Sequence, residues 1–160
     1  MLQIVKMIDQ INKVVKILVG IFIAVMAVTI ILQVFSRYVL GSSLTWSEEM
    51  ARYFSIYAVF FGAALALRRQ NLIAVEVLHE FLPKHITKWL KLIVQVICVV
   101  FFIVLIVQGF NMMDRVSTQQ SPALQISMLI PYASIPIGGM LMILNSFAVS
   151  IELLKGVNEK

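Results

Sequence analysis

Hydrophobic and polar positions along this chain alternate on the scale of whole segments. Residues 17–36, 92–113 and 116–151 contain no charged side chain. A helix rises 1.5 Å per residue, so about 20 apolar residues cross a hydrocarbon core of about 30 Å. The first two runs each suit one crossing. The third is too long for one helix, and Ser121-Pro122 has the N-cap and N1 pattern that opens a short turn. That puts the span itself near residues 129–152. A fourth uncharged run, 53–67, is too short alone, but counted from Thr45 it becomes long enough. Thr45 and Glu48 fit the Thr-x-x-Glu capping box, which starts a helix there. The pattern predicts four spanning helices, at about 15–37, 45–67, 90–113 and 129–152, in one membrane domain over residues 1–160.

Two further stretches have helical amphipathicity. Ile4, Ile8, Ile11 and Val15 recur at helical spacing, with Lys6, Asp9, Lys13 and Lys16 between them. Leu72, Val75, Leu78 and Leu82 form a second stripe, with Glu76 and Glu80 off it. Either can lie along a membrane surface, and the second fits an ordinary helical extension or loop equally well. The fold class is all-α integral membrane, with four transmembrane helices plus interfacial amphipathic helices.

Composition agrees with the pattern. The chain is 61% hydrophobic and 13% charged, against about 25% charged residues in soluble domains. Its net charge of +5 sits between apolar runs, where it reports topology and phospholipid headgroups, not nucleic acid. Of the 13 Lys and Arg residues, all but Arg37, Arg52 and Arg115 fall on the side that holds both termini and the 68–91 connection. The positive-inside rule therefore predicts cytoplasmic N- and C-termini in a bacterial inner (plasma) membrane. The first apolar run exceeds the length of a signal-peptide core, and no clear A-x-A site follows it, so a retained span is expected.

The candidate chemistry is mostly an absence. No charged residue or histidine sits in the middle of any span, whereas ion-coupled pathways and haem bundles use such residues. His79 and His85 lie in the 68–91 connection without Cys or acidic ligands at helical spacing, and the lone Cys98 has apolar neighbours. No nucleophile with a base, phosphate loop or metal cluster is evident, so neither an enzyme nor a cofactor is expected. Gln33, Gln95, Gln108, Asn111 and Asn145 are neutral polar residues inside spans, where they pack against other helices of the chain or against a partner. Ala58, Gly62 and Ala66 form a small-residue face suited to close helix packing. Pro131 and Pro136 remove two backbone donors and bend the final span, and Gly138-Gly139 adds flexibility or close contact.

The exception to the apolar pattern is a polar island, Ser43-Leu-Thr-Trp-Ser-Glu-Glu-Met-Ala-Arg52. On a helix Glu48 and Glu49 can both reach Arg52, and both favour the helix N-terminus. Arg37 is near enough in sequence to join them. Two readings stay open: a charge-balanced helix start at the interface, or an outward docking point formed by Arg37, Trp46, Glu48, Glu49 and Arg52.

The segments Gln33-Val-Phe-Ser-Arg37-Tyr-Val-Leu, Ser43-Leu-Thr-Trp-Ser-Glu-Glu-Met-Ala-Arg52-Tyr and Phe61-Gly-Ala-Ala resemble the small membrane subunit of TRAP transporters (tripartite ATP-independent periplasmic transporters, the DctQ-like family). Gln120-Ser-Pro-Ala-Leu-Gln-Ile-Ser127 and Tyr132-Ala-Ser-Ile-Pro-Ile-Gly138 agree in order and position. Asn71-Leu-Ile-Ala-Val-Glu76 departs from the His-Ile-x-Val-Asp pattern common in relatives. The resemblance implies a non-catalytic scaffold for a large elevator-type membrane subunit, with a periplasmic substrate-binding protein as the third component. It implies sodium-driven uptake of organic acids such as sialic acid or C4-dicarboxylates. A self-sufficient homodimeric transporter and a membrane anchor of a respiratory complex are the alternatives. Both lack support in the residues: neither a membrane-embedded carboxylate nor span histidines are present.

Overall fold

The computed structural model describes residues 2–42, 44–69 and 84–155. Its long helices are α1 (Leu2–Val39), α2 (Thr45–Arg68), α3 (Lys84–Val116) and α5 (Ser134–Lys155), with a single-turn α4 (Leu129–Tyr132) before the last. No sheet occurs among the described residues, only an isolated bridge between Gln120 and Ser127. Four segments are long and apolar enough to cross a membrane: Gln3–Val39, Thr45–Arg68, Leu92–Val116 and Leu129–Glu152. The amphipathic stretch 71–82, His79 and the Asn71–Glu76 variation lie outside the described residues.

Helix α1 runs unbroken for 38 residues, or about 57 Å. Residues 2–16 therefore continue the first span and form no separate surface helix; Asp9 and Asn12 bond them to the later spans. The inward face is Ile8, Asn12 and Val15, while Ile4 and Ile11 are exposed. At the other end Gly41 takes φ +65°, a conformation that costs glycine little. This turns the chain so that the Ser42 amide donates to the Ser36 carbonyl at 3.3 Å. The Ser36 hydroxyl donates to the Ser42 carbonyl at 2.8 Å.

Helix α2 begins at Thr45, but no capping box forms. Leu44 is the N-cap and no side chain caps the helix, so Thr45 already lies within it and Glu48 is free to turn to Arg52. The fully buried Ser47 instead donates its hydroxyl to the Leu44 carbonyl at 2.7 Å.

The last span is one interrupted helix. Pro136 has no N–H for the Tyr132 carbonyl, so the helix is pinched near Ala133. Backbone bonds from Ala133 to Leu129 (2.9 Å) and from Ile137 to Ala133 (3.2 Å) carry it across. Side chains cover the carbonyls on its rim: Ser134 Oγ donates to Pro131 O at 2.6 Å, and the Tyr57 hydroxyl donates to Ile130 O at 2.6 Å. Irregular backbone at membrane depth needs such partners, because lipid supplies none.

The helices pack in a row, in the order α1, α2, α5, α3, and α1 does not meet α3 among the described residues. The last span is thus central. Half of its apolar window is buried, against 11–17% for the other three. Close approach comes from glycine: a Cβ on Gly138 would meet Phe60 Cβ at 2.6 Å, and one on Gly139 would meet Ile106 Cγ1 at 2.7 Å. Gly109 on α3 lies as tightly against Pro136. Ala64, Leu67, Phe102 and Met142 fill the core, with Cys98 at its margin. Between α1 and α2, the Phe22 ring stacks among Phe54, Tyr57 and Phe61 at centroid distances of 5.5–6.0 Å. The outer faces of α1 and α3 carry exposed Ile, Val and Phe side chains throughout, as lipid contact requires.

Candidate functional site

The polar island divides into two parts. Glu48 accepts from Arg52 at 2.9 Å, and both side chains are more than 60% exposed. Glu49 does not join them. Its two carboxylate oxygens accept the backbone amides of Ala123 and Leu124, each at 3.0 Å. These amides follow Pro122 in a turn whose free N–H groups point outward, the arrangement that binds a carboxylate well. The expectation that one guanidinium serves both carboxylates is therefore corrected. Successive residues on a helix point about 100° apart, and a better partner faces Glu49.

The turn that Glu49 holds belongs to the 117–128 connection. The Ser121 amide donates to Ile126 O at 2.9 Å and the Met128 amide to Gln119 O at 3.0 Å. The Gln120–Ser127 bridge closes the loop, and Gln125 takes φ +54° at its tip. Ser121 is fully buried beneath it. Trp46, Arg37 and Tyr38 are exposed at the same end of the molecule. Arg37 makes no ion pair among the described residues.

The small-residue face of α2 is open. A Cβ on Gly62 would find nothing within 4 Å, Ala66 is exposed and Ala58 half-buried. Inside this chain α2 packs through Phe61, Ala64 and Leu67 instead.

A second polar system lies toward the opposite end; the sequence pattern singles out Gln95 and Asn145 as packing residues but not Asn12, Ser146 or Arg68 as their company. Asn12 and Asn145 exchange side-chain hydrogen bonds at 2.6 and 3.0 Å, and Asn145 also donates to the Ala64 carbonyl at 2.7 Å. One residue on, Ser146 bonds the buried Gln95 of α3. These contacts join all four long helices at one level. Further toward the termini, Arg68 of α2 binds Glu152 of α5 through two parallel bonds, at 2.6 and 2.8 Å, and Asp9 of α1 at 2.9 Å. The available signal was Asp9 and Asn12 flanking Ile8 on one helical face. Gln95 and Asn145 behave as internal packing residues, while Gln108 and Asn111 are exposed and bond only weakly to each other, at 3.4 Å. Among the described residues no group of His, Cys, Asp and Glu is arranged to hold a metal ion.

Residues 26–156 match the family described as Tripartite ATP-independent periplasmic transporters, DctQ component. The chain belongs to this family. It is 27% identical over 123 residues to the sialic acid TRAP transporter small permease protein SiaQ of Vibrio cholerae, covering 77% of this chain and 71% of that one. It is 22% identical over 163 residues to the C4-dicarboxylate small permease DctQ of the same species, covering 87% of this chain and 70% of the other. Against the sialic acid permease protein SiaT of Haemophilus influenzae, identity is 33% over 93 residues, which is 56% of this chain but only 15% of SiaT. The chain is a TRAP transporter small permease subunit, a multi-pass bacterial inner membrane protein from a family of transporters and not of enzymes.

Proposed function

We propose that this subunit is a fixed scaffold for a large elevator-type membrane subunit, which takes up organic acids with sodium after a periplasmic binding protein delivers them. The observation that most supports this reading is where the buried polar groups go. Asn12, Asn145, Gln95, Ser146 and Arg68 are all used to tie one span of this chain to another. A moving carrier needs polar or unwound groups that exchange partners with cargo and ions, whereas a frame needs its groups spent on itself.

The Lys and Arg distribution supports cytoplasmic termini and a periplasmic island end. On that orientation Arg37, Trp46, Glu48 and Arg52 form an outer docking face for the partner proteins, braced from behind by Glu49. The open strip of Ala58, Gly62 and Ala66 lets a helix of the large subunit approach closely. Phospholipids cover the remaining apolar faces. The relatives are named for sialic acid, isethionate and C4-dicarboxylates, and such variety fits a subunit that does not read the cargo.

Deleting the chain tests the reading. Uptake is expected to stop while the binding protein still binds its ligand. Normal uptake without the chain would refute the scaffold role.

A further inference from the structure

Helix α1 is out of step with the helices it packs against. The uncharged band of α2 is residues 53–67, centred on Phe60, and that of α3 is 92–113, centred beside Phe102. Phe60 rests on Gly138, while Gly139 lies against Ile106 and the Phe102 carbonyl. Helices α2, α5 and α3 thus share one mid-level, which sets the depth of the bundle in the membrane. Moving the bilayer outward to suit α1 alone would leave the exposed Arg52 and Asp114 in hydrocarbon, where charges are costly.

Phe22 lies level with Tyr57, the middle of the three rings it touches. Lys16 is six residues from Phe22, and Phe60 is three from Tyr57 in the same direction. Lys16 is therefore within about 5 Å of the shared mid-level, and Lys13 about 9 Å from it. The ion cluster agrees: Asp9 meets Arg68, and Lys16 lies seven residues further in. Both lysines are exposed, and neither makes an ion pair among the described residues. Lys13 can snorkel to the membrane surface, but the four methylenes of Lys16 are too short for a remaining depth of about 10 Å. Along α1 alone Lys16 stands just outside the charge-free run; only the packing shows its depth.

The other end of α1 is displaced in the same sense. Ile31, Val34 and Phe35 lie about 6–12 Å past the level of Arg52, and each is more than half exposed. Tyr38, Val39 and Leu40 extend this apolar patch, each more than 60% exposed. Between the two ends, Gly20, Ala24 and Ala27 are exposed on the face opposite the buried Thr29 and Ser36. A Cβ on Gly20 would meet nothing within 4 Å, so another helix can come close there. The outer helix at the far end of the row is different. From residue 93 to 107 the exposed side chains of α3 are all Ile, Val or Phe, which suits lipid.

We propose that the outward face of α1, from Lys13 to Leu40, seats a transmembrane helix of the large subunit that presents a carboxylate to Lys16 inside the membrane and covers residues 31–40 outside it. This seat rests on the reading of the chain as that subunit's scaffold. Apolar side chains alone suit lipid and protein equally. A cation near mid-depth and an apolar patch beyond the membrane suit protein, and both lie on α1. Anionic lipid headgroups would have to be drawn most of the way through one leaflet to reach Lys16, and would leave residues 31–40 bare. A second copy of this chain in the same orientation would set lysine against lysine.

Co-expression of the full chain with the large subunit tests the seat. Lys16→Glu is expected to lower co-purification of the large subunit at least tenfold, while the thermal melting of the isolated chain stays unchanged. Lys16→Arg, and Lys6→Glu at the terminal end of the helix, should co-purify like the unaltered chain. Spin labels at Ile17→Cys, Ile31→Cys and Phe35→Cys, in a Cys98→Ala background, give a second measure. In the assembled transporter all three should lose access to both oxygen and a water-soluble nickel chelate, while Val104→Cys on α3 keeps its oxygen access. Oxygen access retained at residue 17 with chelate access at 31 and 35 would overturn the seat and leave that face to lipid and water. Unchanged co-purification of Lys16→Glu would equally overturn it. If deletion of the chain still stops uptake in that case, the scaffold role stands without the seat. Normal uptake after deletion, with the three labels shielded, would refute the scaffold role and keep the seat.

Discussion

Glu48 and Glu49 are adjacent, yet the helix turns them toward different partners. Glu48 shares an exposed pair with Arg52, and pairs of that kind contribute below about 1 kcal/mol. Glu49 accepts two backbone amides from a loop more than seventy residues away, which no i,i+4 rule could find. The spacing rule identified the local pair and not the distant one, because Ala123 and Leu124 offer only main-chain donors and leave no side-chain signature. Glu49→Gln is therefore expected to speed amide exchange at Ala123 and Leu124 roughly tenfold or more, the scale of a lost charge-assisted hydrogen bond. Glu48→Gln should leave that exchange unchanged. Hydrogen-exchange mass spectrometry over residues 120–128 separates the two.

Spans were legible at the element scale because length and charge-free runs are local properties. Thr45 and Leu129 begin helices, although the capping box read at Thr45 does not form. The register of one helix on another was not legible. The Ala58, Gly62, Ala66 strip has the sequence of a packing face, but the observed close contacts use Gly138 and Gly139, whose neighbours Phe60 and Ile106 belong to other segments. Substituting the two kinds of glycine should separate their roles. Gly138→Val drives a side chain into Phe60 and is expected to destabilise the chain by about 1–3 kcal/mol, the usual cost of overpacking. Gly62→Val meets open space and should leave the isolated subunit's thermal melting in detergent unchanged. If the strip serves the large subunit, Gly62→Val lowers co-purification with that subunit instead.

On the scale of the whole molecule, the row α1–α2–α5–α3 is cross-braced by two polar layers. One is the Asn12–Asn145–Ala64 and Gln95–Ser146 set; the other is Arg68 with Asp9 and Glu152. Counting charges assigns Arg68 to the topology signal, and only the fold shows that it is also held by two carboxylates. Removing it leaves two acids facing each other at the edge of the bundle. Arg68→Leu is expected to cost about 3–5 kcal/mol, the range for breaking a buried ion pair from one side, discounted toward the lower figure because Asp9 is 45% exposed. Melting of the purified subunit measures it, and partial recovery with Arg68→Leu/Glu152→Leu would identify the unpaired carboxylate as the cause.

The central place of the last span has a consequence for biosynthesis. Three helices leave the ribosome before their common neighbour exists. Until residues 134–152 arrive, Asn12 and Gln95 lack the side chains that they bond in the finished fold, and α3 has no surface on which to settle. The first two spans can already pair through Phe22 and the Asp9–Arg68 contact, α3 is inserted apart from them, and the fourth span brings the pair and α3 together in one late step. Nascent chains halted before Ser134 should remain open to membrane quality-control proteases, whereas chains carried past Glu152 become resistant.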